Sequence, residues 1–208
     1  MERVIIAIET STKQGSVALW ADGEIKSERF FFADRSHNSA IFDPLAEILD
    51  VAGGRIDSVI AGTGPGSYTG ARVGIAAGQG VAMVRGAEFR GVASVCAADV
   101  VSDSYAVVGD ARRGSFFWVE VRERKIAGEI EVMVGRDALD QRVSEAGLET
   151  ITFDESVDWV DLSRPVAAKL AIGAAQKPDD GAVDLVEPIY LGAPFVTKPK
   201  RAAVWGKK

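Results

Sequence analysis

Two stretches of this chain, Val4–Trp20 (VIIAIETSTKQGSVALW) and Tyr105–Val121 (YAVVGDARRGSFFWVEV), follow one plan. Each is a short apolar run, an acid (Glu9 or Asp110), a polar turn closing on glycine (Gly15 or Gly114), a serine, and a second apolar run. Apolar runs of this length bounded by turn formers read as strands, and the short polar link reads as a hairpin. A plan that recurs within one chain signals internal duplication, and that decides the fold class before any single motif does.

After Trp20, Ala21-Asp22-Gly23 turns into a third strand, Glu24 to Phe32. From Ser39, a plausible N-cap, apolar residues recur at Ile41, Phe42, Leu45, Ile48, Leu49 and Ala52, the spacing of an amphipathic helix that Gly53-Gly54 ends. A strand at Ser58–Ala61, a helix to about Arg85, a strand near Arg90–Val92 and a helix near Val95–Val101 complete a βββαβαβα lobe over residues 1–103. The second lobe, 104–195, continues with a strand near Ile130–Val134, a helix near Asp137–Ala146, a strand at Ile151–Phe153, a helix at Pro165–Ala175 and a strand-like Val183–Leu191. It is the shorter copy, and residues 196–208 form a basic tail. The expected class is α/β, a duplicated ribonuclease-H-like fold of two lobes. This element order resembles the superfamily of sugar kinases, actin and heat-shock chaperones.

Composition narrows the chemistry. With 208 residues, 47% hydrophobic and 26% charged, the chain suits a soluble globular protein, and no apolar run approaches a membrane span. One cysteine, Cys96, excludes an internal disulfide and points to the cytoplasm, where it reads as a small buried residue. One histidine, His37, reads as a polar residue leading into a helix; imidazole and thiolate metal sites need several converging ligands, so no metal is expected. A net charge of −6 argues against a surface given over to nucleic acid, and the Lys198–Lys208 stretch reads as a solvated tail.

The glycine-dense Gly62–Gly80 segment (GTGPGSYTGARVGIAAGQG) has neither the lysine of a P-loop nor the third glycine of a dinucleotide fingerprint, where Thr69 stands instead. The phosphate chemistry that remains is a vestigial nucleotide or anion site of Glu9, Thr10, Ser11, Gly64, Gly66, Ser67 and Asp110. Gly70, Gly74 and Gly78 instead recur every four residues along a helix face. Each helix-interior glycine costs ~1 kcal/mol relative to alanine, which close approach of another backbone can offset. The stripe can lie on the lobe's own sheet; because Arg72, Val73, Ile75, Ala76 and Met83 supply further faces, the helix is expected to contact both its own sheet and another helix, serving mainly as a docking element. The expected partner surface is Ile41, Leu45, Ile48, Gly70, Ala71, Val73, Gly74, Ala77 and Gly78.

Three segments resemble the TsaB (YeaZ) family: IIAIETST with SVALW, GPGSYTGARVGIAAGQGVA at Gly64–Ala82, and DARRGSFFWVEV at Asp110–Val121; PIYLG at Pro188–Gly192 looks like the family's C-terminal motif. The resemblance implies a non-catalytic scaffold that carries no cofactor and docks the catalytic subunit TsaD through the helices at Ser39–Ala52 and Ser67–Arg85. It also implies an ATPase partner, TsaE, a homodimer through the same helices, and tRNA contact only within the complex that makes threonylcarbamoyladenosine. Glu9 departs from the family's more usual aspartate. An ATP-dependent kinase or ATPase of the actin and sugar-kinase superfamily is the enzymatic alternative. Gly173–Gly181 (GAAQKPDDG) lacks the Gly-Gly turn such enzymes place around adenosine. A ribonuclease-H-like nuclease needs clustered carboxylates, and the strand ending at Ala61 runs into Gly62-Thr63-Gly64 without one.

Overall fold

The structure, a computed structural model, describes residues 3–33, 39–176 and 186–191. His37, the basic tail and residues 183–185 of the strand-like Val183–Leu191 lie outside the described residues.

The first sheet holds β1 (Ile5–Glu9), β2 (Gln14–Ala21), β3 (Glu24–Phe32), β4 (Ser58–Gly62) and β5 (Glu88–Val92) in the order β3-β2-β1-β4-β5. The second holds β6 (Tyr105–Arg112), β7 (Ser115–Arg122), β8 (Lys125–Val134), β9 (Thr150–Thr152) and β10 (Asp161–Leu162) in the order β10-β9-β6-β7-β8. Starting from β8, the second order reproduces the first. β6 pairs antiparallel to β7 and parallel to β9, as β1 pairs antiparallel to β2 and parallel to β4. The duplication read from the two hairpins therefore extends through both sheets.

Helices α1 (Phe42–Ala52) and α2 (Tyr68–Arg85) cover one face of the first sheet. Ile6 and Ile8 of β1 point to that face, into a core with Ile41, Leu45, Ile48 and Val59. Alternation along the strand sends Ile5 and Ala7 to the other face, so β1 is buried on both sides. Ser67 caps α2, its Oγ accepting the Gly70 N–H at 3.1 Å, and Gly86 ends the helix in the left-handed region at φ 62°. α1 has no comparable cap: Ile41 occupies that position, and Ser39 contributes its carbonyl to Phe42 N–H instead of its side chain.

The second lobe is shorter for a definite reason. Helix α3 (Arg136–Ala146) follows β8 as α1 follows β3, but between β9 and β10 no helix matches α2. Residues 153–160 take its place, and Val157 and Trp159 fill the space against Trp118 and Leu139. Trp159 is sandwiched between the Phe116 ring, centroids 5.6 Å apart, and the Arg136 guanidinium at 4.2 Å. The segment expected as a helix over Val95–Val101 is one 3-10 turn, Ser94–Ala97, and Val186–Tyr190 forms no strand.

Helix α4 (Ala167–Gln176) returns from the second half of the chain to the first sheet. By sequence it belongs to the second lobe, yet Ala167, Leu170, Ala171 and Ala174 pack on Ile5, Ala7, Ala18 and Ile60 of the first sheet. The first strands leave this face apolar, and α4 is the element that removes it from water. Its first amides are satisfied across the molecule, Ala167 N–H by Ser16 Oγ at 2.8 Å and Ala168 N–H by Glu28 Oε1 at 3.1 Å. Burial holds the Glu28 carboxyl above its usual range, with the Ala168 bond opposing it. Ser16→Ala is expected to lower stability by about 1 kcal/mol, the ordinary cost of losing a cap. Urea melts of both proteins check this, and an unshifted midpoint contradicts it.

Candidate functional site

Two regions carry the residues that the sequence singled out. The first is the junction of the β1–β2 turn with the loop after β4. Glu9 ends β1 with no exposed surface. Its Oε1 accepts the Ser11 N–H at 2.6 Å, so the acid caps its own turn. Its Oε2 makes no hydrogen bond and projects, like Ser94 Oγ, into the space that a Cβ on Gly62 would fill. Gly62 is thus the residue that makes room for a glutamate here.

Three of the amides around the start of α2 are engaged within the protein. Ser67 N–H donates to Ser11 O at 2.6 Å, Gly70 N–H to Ser67 Oγ, and Gly64 N–H to Ser94 Oγ at 2.9 Å. Thr10 Oγ1 donates to Gly70 O at 2.8 Å, and Gly66 lies too close to Ser11 O to accept a side chain. Asp110 is engaged within its own hairpin, accepting the Arg112 N–H at 2.7 Å. Of the residues expected to form a vestigial nucleotide site, Glu9, Thr10, Ser11, Gly64, Gly66 and Ser67 meet; Glu9 and Ser67 are each bonded to Ser11, while Thr10 is held by Gly70 and Gly64 by Ser94. Among the described residues, no group of three or more His, Cys, Asp or Glu side chains comes together to hold a metal.

Burial drives the Glu9 carboxyl well above the usual carboxylate range, and the Ser11 hydrogen bond only partly opposes it. The folded state therefore favours the protonated acid. Its contribution to stability is fully present below the unfolded-state value and is lost as pH rises through the raised folded-state value. Glu9→Gln keeps the acceptor for Ser11 and cannot ionise. The variant is expected to gain on the wild type as pH rises above 4.5, by at most about 1.4 kcal/mol per pH unit while Glu9 titrates. Thermal melts from pH 4 to 8 test this; parallel curves for the two proteins refute it.

The second region is the outer surface of α1 and α2. Here the structure overturns the orientation expected for the glycine stripe. A Cβ on Gly70 would strike Thr10 O, one on Gly74 would strike Thr10 Oγ1, and one on Gly78 would lie 2.8 Å from the Phe89 ring. All three face β1, β4 and β5 of the same sheet. Ile41, Leu45, Ile48 and Ala71 are buried with them. The missing Cβ atoms at Gly70, Gly74 and Gly78 face the protein's own first sheet and its β1–β2 turn, not a partner helix.

What the helix pair turns to solvent is a different set. Phe42 is 58% exposed, Met83 78% and Val84 81%. Between the helices runs an apolar groove of about 710 Å³, lined by Phe42, Leu49, Ala76, Gly80, Val81 and Val84 and bordered by Leu45, Val73 and Ala77 of the expected surface. The expected partner surface omits these members: the spacing that finds α1 includes Phe42 and Leu49 without telling buried from exposed, and Val81 and Val84 lie off the glycine stripe of α2. The signal available was the run Val81, Ala82, Met83, Val84, which is apolar around the whole helix. At the start of α2, exposed Tyr68 stacks with Tyr190 at 5.2 Å, and the Arg72 guanidinium covers the Tyr68 ring at 4.8 Å.

Residues 32–171 match the family model for TsaD, tRNA N6-adenosine threonylcarbamoyltransferase. The chain is 28% identical to the tRNA threonylcarbamoyladenosine biosynthesis protein TsaB of Escherichia coli, over 90% of this chain and 94% of that one. It is 41% identical to TsaB of Haemophilus influenzae over 38% of this chain and 34% of that one. Among solved structures, YeaZ from Pseudomonas aeruginosa superposes with a TM-score of 0.71 at 22% identity, covering 91% of this chain and all of that one, a likeness of fold. Among the described residues, no helix is long and apolar enough to cross a membrane.

Proposed function

Because the chain belongs to the TsaB (YeaZ) family, related to the TsaD threonylcarbamoyltransferases, we propose that it is the scaffold subunit of the assembly that installs threonylcarbamoyl on tRNA adenosine. It takes part in tRNA threonylcarbamoyladenosine biosynthesis without contributing the groups that react. It docks a TsaD subunit along the α1–α2 groove, and a TsaE ATPase completes the complex. A second copy of the chain competes for the same face.

The observation that carries this reading is the groove. Water-exposed Phe42 and Val84, with Leu49, Ala76 and Val81, form an apolar surface that a second helical pair would bury. The closed strand-end junction supports a subunit without its own nucleotide chemistry, since Glu9 has no surface to offer magnesium. The actin-type kinase alternative needs that acid in solvent, and it draws no support from this geometry.

Purification of the tagged chain from its own host, with every bound subunit identified by mass spectrometry, tests the reading. A threonylcarbamoyltransferase-family subunit in stoichiometric amount is expected. Recovery of the chain alone, or with unrelated proteins, refutes the scaffold role.

A further inference from the structure

Tyr68, Arg72, Ala76, Gly80 and Val84 stand four residues apart along α2, and all of them are exposed. They form one ridge of the helix, and the apolar groove beside α1 runs along it from Val73 to Arg85. A second piece of the chain arrives at the Tyr68 end. Residues 186–191 cross the loop after β4, where Ile189 N–H donates to Thr63 O at 2.8 Å and Tyr190 stacks on Tyr68. The residues that follow, 192–208 (GAPFVTKPKRAAVWGKK), therefore start at the mouth of the groove.

Their composition complements it. Phe195, Val196, Val204 and Trp205 are apolar, and Lys198, Lys200, Arg201, Lys207 and Lys208 carry positive charge with no acid among them. Helix α1, the opposite wall, exposes Asp43, Glu47 and Asp50 and contains no base; Glu47 also pairs with Arg29 at 2.6 Å. The arginines of α2 are turned to other groups, Arg72 to the Tyr68 ring at 4.8 Å and Arg85 to Gly53 O at 3.1 Å. Length is sufficient. Gly192 to Trp205 extends to at most about 46 Å at ~3.3 Å per residue, whereas Tyr68 to Val84 spans about 24 Å of helix.

We propose that residues 192–208 occupy the α1–α2 groove of the free chain, with Phe195 and Trp205 as apolar anchors and the bases toward the acids of α1, so that a partner must displace them. This replaces the solvated tail that charge alone suggests. It rests on the reading of the groove as the docking face and adds how access to that face is regulated. A segment tethered at Tyr190 competes at an effective concentration on the order of millimolar, so modest contacts are enough.

Methyl NMR on the full chain and on the double variant Phe195→Ser, Trp205→Ser tests the contact. Loss of the Trp205 ring is expected to move the methyl resonances of Val73, Ala76, Val81 and Val84, while Val107 and Val119 in the second sheet stay in place and report an intact fold. In calorimetry, the variant is expected to bind the threonylcarbamoyltransferase-family subunit about tenfold more tightly, because its groove is free more of the time. Groove methyls that ignore the substitutions overturn the proposal, as does an unchanged affinity. Shifts that vanish on dilution also overturn it, since they assign the groove to the same segment of a second copy. If the groove methyls move but neither form binds such a subunit, the self-docked segment stands and the scaffold reading beneath it is refuted.

Discussion

Gly74→Leu is expected to leave the chain unable to fold cooperatively. A Cβ at this position already collides with Thr10 Oγ1 and lies 3.4 Å from Ile8 Cγ2, before the rest of a leucine is added. Thr10 is anchored by its bond to Gly70 O, and β1 is covered on its other face by α4, so the strand has nowhere to move. Overpacking of a closed core commonly costs about 1–3 kcal/mol, and a side chain driven against a fixed strand costs more. A cost that reaches the lower end of the roughly 5–15 kcal/mol by which a domain of this kind is stable depopulates the native state. Gly80→Ala provides the contrast. Nothing lies within 4 Å of a Cβ there, so the substitution removes a helix-interior glycine and is expected to raise stability by about 1 kcal/mol. Circular dichroism melts separate the two outcomes; a folded, cooperatively melting Gly74→Leu protein would mean that the helix does not rest on β1 as described.

Val84→Glu is expected to act in the opposite way, with the fold intact and the association lost. Its side chain is 81% exposed and borders the groove, so a charge there costs the isolated chain little. Once a partner helix covers the groove, the carboxylate must be desolvated without a counter-ion, and complex affinity is expected to drop by about 100-fold or more. Size-exclusion chromatography and titration calorimetry with the threonylcarbamoyltransferase subunit check this. Unaltered association alongside an unaltered melting temperature would place the interface elsewhere.

Much of the architecture was legible because it depends on local pattern. The two hairpins announce the duplication, and the three-strand openings, α1, α2, α3 and the positions of β4 and β9 follow from apolar spacing and turn residues. The misreadings have tertiary causes. α4 carries helical periodicity, but nothing in Ala167–Gln176 says that its apolar face belongs to the first sheet; the bare face of β1, β2 and β4 decides that. The strand-end site looked open because glycine, serine and acid are also what a phosphate loop uses. Only the pairing of Ser67 with Ser11 and of Gly64 with Ser94 shows those donors engaged.

From its residues alone, this chain determined that α2 must lie very close to another stretch of backbone, since Gly70, Gly74 and Gly78 remove every Cβ from one helix face. What lies there was a matter for the tertiary structure: the Thr10 carbonyl at Gly70, the Thr10 and Ile8 side chains at Gly74, and the Phe89 and Val59 side chains at Gly78, rather than a helix from outside. The physical reason is that a missing side chain permits contact without specifying its source. A neighbouring strand and a foreign helix make the same demand on the sequence, and only the completed sheet shows which of them is already there.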